Sequence, residues 1–301
     1  MNSLAWPKRM PSGRVAYVNG RYVPHGEAGV HIEDRALQFA DGIYEVVGIV
    51  NGKVFDEEEH LDRLERSVRE IGMAMPMSRN PLKFVLREIA RRNNIHDGLI
   101  YMQVTRGVLR RDHPVPEHQP RPSLIITARP IDPSGVEHRR QQGVAAITQP
   151  DQRWARCDIK STSLLPNILA KTVARKAGAF EAWLVDDDGF VTEGAATSAW
   201  IVDKDGKLTT RNLSNAILPG VTRRVIFEAA QQAQIAIVER KFTVAEALAA
   251  KEAFISAATL GATAIVSLDG HKIGDGKPGP VTRRIQELYR NLAESKVHAA
   301  E

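Results

Sequence analysis

The run CDIKSTSLLPN, from Cys157 to Asn167, sets a single lysine among small hydroxyl-bearing residues. A lysine held partly out of water loses some of its preference for the charged form, and its neutral amine can then form an imine with an aldehyde. Most lysines stay solvated and never do this, so Lys160 alone decides nothing. In VTEGAATSAW, Glu193 stands before Gly194 and a string of small residues that leave room for a flat ring. A carboxylate there can accept a hydrogen bond from a protonated ring nitrogen, although a plain turn carboxylate has the same sequence. In LPGVTRRVIFEAAQQA, Pro219-Gly220 precede a helix from about Val221. The unpaired amides of a helix start favour an anion such as phosphate, and glycine lets the backbone come close to it. A functionless Pro-Gly turn reads the same.

Taken together, an imine-forming lysine, a carboxylate for a pyridinium nitrogen and a phosphate cradle are the handholds that pyridoxal 5'-phosphate needs. The ordered set HLDRL, QVTRG, RCDIKS, VTEG and ILPGVTR closely resembles the fold-type IV pyridoxal-phosphate aminotransferases, and within them the D-amino acid aminotransferase branch. The resemblance runs from about Tyr17 to Arg283. It implies Lys160 as the Schiff-base lysine and catalytic base, and Glu193 as partner of the ring nitrogen. It also implies Arg63, Val221 and Thr222 as phosphate contacts and Leu218 as the residue packed on the ring. Two alanines, Ala257 and Ala258, stand where the family usually has hydroxyl residues near the phosphate, which leaves Thr259 as the nearest hydroxyl. Ser198 replaces a common asparagine.

Substrate choice rests on other residues. Strand alternation in GIYEVV puts Tyr44 and Val46 on one face. In RGVLRRDHPVP, Arg111 and His113 are two apart, and Pro114 biases His113 to extended backbone, so both should project to one side. That spacing suits a carboxylate clamp; an exposed polar loop is the bland alternative. The resemblance matches Tyr44, Arg111 and His113 to the residues that hold the substrate carboxylate, with the arginine and histidine supplied by the neighbouring subunit of a homodimer. The implied reaction is ping-pong transamination between a D-amino acid of the D-alanine or D-glutamate type and 2-oxoglutarate or pyruvate. The alternatives are an L-branched-chain aminotransferase on the same scaffold, an amine transaminase, the lyase making 4-aminobenzoate and, most remotely, a noncatalytic anion or nucleic-acid binding protein.

The elements that must position these residues follow from periodicity. Asn19-Gly20 and Asn51-Gly52 each separate apolar strands and predict two hairpins of one antiparallel sheet. Leu61, Leu64, Val68 and Ile71 have helical spacing after an acidic first turn, with Gly72 as a stop. A second helix is expected with Asn80 as cap and Pro81 at its first position. Two strands, LIYMQVTRG and PSLIITARP, come next. The stretch ARPIDPSGVEH, with Pro130, Pro133 and Gly135, reads as a domain boundary. Beyond it, Leu165, Ile168, Leu169 and Val173 form one apolar helix stripe, and Lys171 falls off it and reads as surface. The fold class is α+β (mixed α/β). The resemblance implies a small N-terminal α/β domain, residues 1–130, and a larger cofactor-binding C-terminal domain with a curved mixed sheet, residues 131–301.

At 301 residues, with 43% hydrophobic and 26% charged residues, the chain has the composition of an ordinary globular protein of two domains. Its net charge of +5 is spread among acidic neighbours with no aromatic stacking motif, so neither nucleic acid nor a membrane is expected as partner. Cys157 is the only cysteine, which excludes an internal disulfide and a multi-cysteine metal site; no metal is expected, and Cys157 reads as a small packed residue. No secretion signal is legible in MNSLAWPKRMPSGR, which gives a cytoplasmic expectation.

Overall fold

The computed structural model of the chain describes residues 13–298, so the opening stretch scanned for a secretion signal lies almost wholly outside them. The chain divides into two compact units. One holds the described residues through Ile131 together with Ser161–Ser163; the other holds Asp132–Lys160 and the described residues from Leu164 onward.

The first unit carries strands β1 (Val15–Val18) and β2 (Arg21–Pro24), helix α1 (Arg35–Phe39), strands β3 (Gly42–Val50) and β4 (Lys53–Val54), helices α2 (Glu57–Glu70) and α3 (Arg79–Arg92), and strands β5 (Gly98–Thr105) and β6 (Ser123–Pro130). The strands form an antiparallel sheet in the order β2-β1-β6-β5-β3-β4. Asn19 and Gly20, and again Asn51 and Gly52, have positive φ at both turn positions, the mirror-image turn whose twist matches the strands it joins. Helix α2 buries Leu61, Leu64 and Val68, as its spacing requires. Helix α3 begins two residues earlier than expected: Ser78 holds the cap position, Asn80 is helical and Pro81 sits third. The first four amides of a helix lack intrahelical acceptors, so proline fits there as well as at the first position.

The second unit carries α4 (Pro133–Gln142), β7 (Val144–Pro150), α5 (Leu165–Lys176), β8 (Glu181–Val185), β9 (Val191–Gly194), β10 (Ser198–Val202), β11 (Leu208–Thr210), α6 (Val221–Gln232), β12 (Ile237–Glu239), α7 (Val244–Leu248), β13 (Glu252–Ala257), β14 (Gly261–Leu268), β15 (His271–Lys272) and α8 (Pro280–His298). The sheet order is β12-β11-β10-β13-β14-β7-β8-β9, with β15 on β14. It is mixed: β7 runs parallel to β8 and β14, and β11 parallel to β12, while the other pairings are antiparallel. Alternation along β10 sends Ala199 and Ile201 to one face and Trp200 and Val202 to the other. The first face meets Trp183 of β8, Val191 of β9 and Ile255 of β13 around Phe242 in one buried cluster, so the sheet curls about it. The second face is covered by α6 and α8.

The Pro- and Gly-rich stretch read as a domain boundary also holds the start of α4, because the Asp132 carboxylate accepts from the Ser134 and Gly135 amides. Asx-Pro is a turn signal and also a helix-start signal, and here the second use wins. Lys171, read as a surface lysine, forms an ion pair at 3.0 Å with the fully buried Glu181 and lies over the Phe180 ring. The apolar stripe of α5 exists, but it faces solvent: Leu165 is 66% exposed and Ile168 55%. The buried side is Ala170 and Ala174, against Ala182, Leu184 and Ala195.

Candidate active site

In the second unit, Glu193 lies near the end of β9, buried. Arg153, half-buried with its side chain almost wholly covered, reaches it from the loop after β7 and forms a short ion pair with Oε1. The other side of the Glu193 carboxylate accepts from the Leu218 amide, at 3.2 Å to Oε1 and 3.3 Å to Oε2. Arg153 is aimed by Asp151, whose carboxylate accepts from its Nε and Nη2 at 2.9 Å and 2.7 Å, and by the Ala216 carbonyl. Burial pushes the Glu193 carboxyl above its ordinary value, opposed by the charge and hydrogen bond of Arg153, the Leu218 amide and the charge of Lys160. Burial works against the charge on Arg153, yet its bonds to Asp151 and the charges of Glu193 and Asp151 hold the guanidinium above its ordinary value.

Lys160 follows the buried pair Asp158 and Ile159 and is itself half-buried. Cys157 donates to the Trp154 carbonyl, and burial pushes its thiol up to about 11. Val221 and Thr222 are the first two residues of α6; both are buried, and no side chain caps that helix. Gly220 precedes them so closely packed that a Cβ would stand 3.2 Å from the Ser198 hydroxyl. Thr259 lies in the turn between β13 and β14. Thus Glu193 and Leu218 are brought into direct contact, Lys160 is near enough for its charge to act on Glu193, and Val221 and Thr222 share a helix start.

In the first unit, Tyr44 and Val46 point to the same half-buried face of β3, opposite the core residues Ile43 and Val47. Their register partners on β5 are Gln103 and Tyr101. Tyr44 stacks on Tyr101 with centroids 5.8 Å apart, and the Tyr101 hydroxyl donates to Gln103 at 2.7 Å. Burial, with Tyr44 beside it, pushes the Tyr101 phenol up to about 12. Glu45 between Tyr44 and Val46 points the other way, fully buried, and its carboxylate accepts Arg63 Nε and Nη2 at 2.7 Å each. His60 Nδ1, assigned its proton by this network, donates to Glu45 at 2.8 Å. Arg63 is therefore anchored inward by a bidentate carboxylate rather than lying on the surface. Arg111 and His113 do turn to the same side, and both lie against Phe39.

The family model of amino-transferase class IV matches residues 42–268. The chain belongs to the class IV aminotransferases. This aminotransferase is 42% identical over 273 residues to a D-alanine aminotransferase of Listeria monocytogenes, covering 90% of the chain and 93% of that protein. It is 39% identical over 273 residues to a D-alanine aminotransferase of Bacillus licheniformis, covering 91% and 95%. Among solved structures, the branched-chain amino acid aminotransferase from Escherichia coli is similar with a TM-score of 0.83 at 27% identity, covering 93% of this chain and 94% of that one. The α+β, fold-type IV architecture expected from the motifs is the architecture found.

Several residues of this aminotransferase escaped the sequence reading. Arg153 and Asp151 are separated from Glu193 by about a strand, a loop and a helix of sequence, and no local pattern ties them to it. Tyr101 and Gln103 were within reach: they occupy the alternate positions of β5 opposite Ile100, Met102 and Val104.

Proposed function

We propose that the chain is a pyridoxal-phosphate-dependent aminotransferase that moves an amino group between a D-amino acid of the D-alanine or D-glutamate type and 2-oxoglutarate or pyruvate. The observation that carries the reading is the Glu193 carboxylate, buried between Arg153 and the Leu218 amide and within electrostatic reach of Lys160. The donor set fits the cofactor: a primary amine for its aldehyde, a carboxylate of raised proton affinity for its ring nitrogen, and an uncapped helix start with the Thr222 hydroxyl for its phosphate. When bound, pyridoxal phosphate supplies a sink for the electron pair released when the substrate Cα–H bond breaks.

The residues divide the remaining work. Lys160 would anchor the cofactor aldehyde, and its free amine would take the proton from the substrate Cα. Glu193 would accept the hydrogen bond of a protonated ring nitrogen, and Arg153 holds Glu193. Val221, Thr222, Arg63 and Thr259 serve the phosphate, and Leu218 packs against the ring. Tyr44 and Val46 line the substrate pocket, and Arg111 with His113 clamps the substrate carboxylate. The similarity to D-alanine aminotransferases at 39–42% identity, together with the paired Arg111 and His113, favours D-substrates over the branched-chain alternative.

The functional form proposed is a homodimer in which Arg111 and His113 complete the partner's site. Both are exposed in the isolated chain, as is the aliphatic row of Leu165, Ile168, Leu169 and Val173, a patch of the kind that marks an interface. No helix among the described residues is long and apolar enough to cross a membrane; a cytoplasmic setting is part of the same proposal.

Borohydride reduction of the holoenzyme followed by peptide mapping tests the anchor: the adduct is expected on Lys160, and a label elsewhere removes the assignment. Half-reactions followed by absorbance test handedness, with D-alanine expected to react and a preference for L-leucine overturning the D reading.

A further inference from the structure

We propose that Arg35, Phe39 and Asp41 are positioning residues that fix the loop carrying Arg111 and His113, and so set substrate affinity without touching substrate. The inference rests on the clamp role given to that loop above.

The loop is tied at its start and at its middle to the same short segment. At its start, the Arg35 amide donates to the Gly107 carbonyl at 3.0 Å, the Leu109 amide donates to the Glu33 carbonyl at 3.3 Å, and Asp34 bridges Val108. The Asp34 carboxylate caps α1 through the Ala36 amide and accepts from the Thr105 hydroxyl, which in turn accepts from the Gly107 amide. Gly107 has φ +99°, and a Cβ there would collide with the Arg121 carbonyl, so glycine is required for the chain to leave β5 in this direction.

At its middle, the buried Arg35 guanidinium donates to the Asp112 carbonyl at 2.6 Å and to the His113 carbonyl at 3.1 Å. Those two peptides are the backbone between and at the clamp residues, so one rigid donor fork sets where both side chains begin. Arg35 is itself held by Asp41, which accepts from its Nε at 2.8 Å and from Arg106 Nε at 2.7 Å. Arg106 extends the brace to the Ile71 carbonyl and to Gln119 at the far end of the loop.

The side chains are then steered by one ring. The Arg35 guanidinium carbon lies 4.8 Å from the Phe39 centroid and the Arg111 guanidinium carbon 4.7 Å, while the His113 ring packs at 5.4 Å. Each guanidinium gains from the ring quadrupole, and Phe39 thereby holds Arg111 and His113 together on one side of an otherwise exposed loop. A clamp of two long side chains on a loop costs conformational entropy at each binding event unless the fold spends it beforehand. The Arg35–Phe39–Asp41 brace does so.

The test uses the full-length holoenzyme and three variants, with hydrogen exchange of peptides spanning 107–119 beside steady-state kinetics on D-alanine. Phe39→Leu leaves the buried Arg35–Asp41 pair intact, and Arg35→Lys keeps charge but loses the fork; if Arg35→Lys does not fold, Phe39→Leu decides. Exchange in 107–119 is expected to quicken about tenfold, with little change elsewhere. KM should rise about tenfold with kcat held within about threefold, the signature of lost preorganisation rather than lost chemistry. Unchanged loop exchange overturns the proposal, as does an unmoved KM when Arg111→Met raises it. If Arg111→Met itself leaves KM unmoved, the clamp reading falls instead, and loop exchange alone judges the positioning.

Discussion

The Leu218 amide donates to both oxygens of the Glu193 carboxylate, so the end of β9 and the approach to α6 are fastened at one group. Leu218 stands three residues before Val221, the first residue of α6. The carboxylate proposed for the ring nitrogen and the helix start proposed for the phosphate are thereby kept in register by a backbone bond that every residue but proline at position 218 would retain.

Glu193→Gln preserves shape while removing the charge that faces Arg153. Transamination is expected to fall at least about 100-fold, because a neutral amide no longer favours a protonated ring nitrogen. Leaving a buried guanidinium short of one partner should also cost on the order of 3 kcal/mol, although Asp151 still faces it. Single-turnover rates and thermal unfolding check the two effects separately; a rate within a fewfold of wild type would falsify the assignment of Glu193.

Glu45 gives a signed pH dependence. Burial would raise its pKa, but the charge and hydrogen bonds of Arg63, aided by His60, hold the carboxyl at about 2, against 4.5 ordinarily. A folded-state pKa below the unfolded one stabilises the fold fully above the unfolded value, and that contribution disappears as pH falls from about 4.5 towards 2. The contribution is on the order of 3 kcal/mol. Urea midpoints of wild type and Glu45→Gln should therefore lie far apart at neutral pH and converge in acid. Parallel curves across that window reject the linkage.

Cys157 is expected to be sluggish. With its thiol pushed up to about 11 by burial, almost none is thiolate at neutral pH. Alkylation by iodoacetamide should climb about tenfold per pH unit from neutrality upward, because only the thiolate reacts. A plateau near ~8.5, the value of an unperturbed thiol, would contradict the burial effect.

Ile168→Asp places a charge in the middle of the exposed row on α5, where it touches none of the buried alanines. The chain should fold as before but sediment as a monomer, since a desolvated carboxylate without a partner costs several kcal/mol at an interface. A dimer of unchanged affinity would move the interface elsewhere.

What could be read from the sequence was whatever is written in neighbouring residues. Asn19-Gly20 and Asn51-Gly52 specify their turns through the positive φ they tolerate, and Leu61, Leu64 and Val68 specify the buried side of α2. The ordered motifs likewise carry the family to which the chain belongs. What escaped was set by distance along the chain. Nothing near Arg153 announces that Glu193 will meet it, and nothing near Arg35 announces the carbonyls of Asp112 and His113. Local rules also stop short where periodicity defines a stripe without saying which way it faces, as on α5.

That outward row on α5 bears on how the protein must be made. A newly synthesised chain presents four aliphatic side chains to water on a single helix, and in the homodimer proposed above nonspecific clumping competes with assembly until they are covered. Refolding yield should therefore pass through an optimum in protein concentration, with low concentration starving the pairing step and high concentration feeding precipitation.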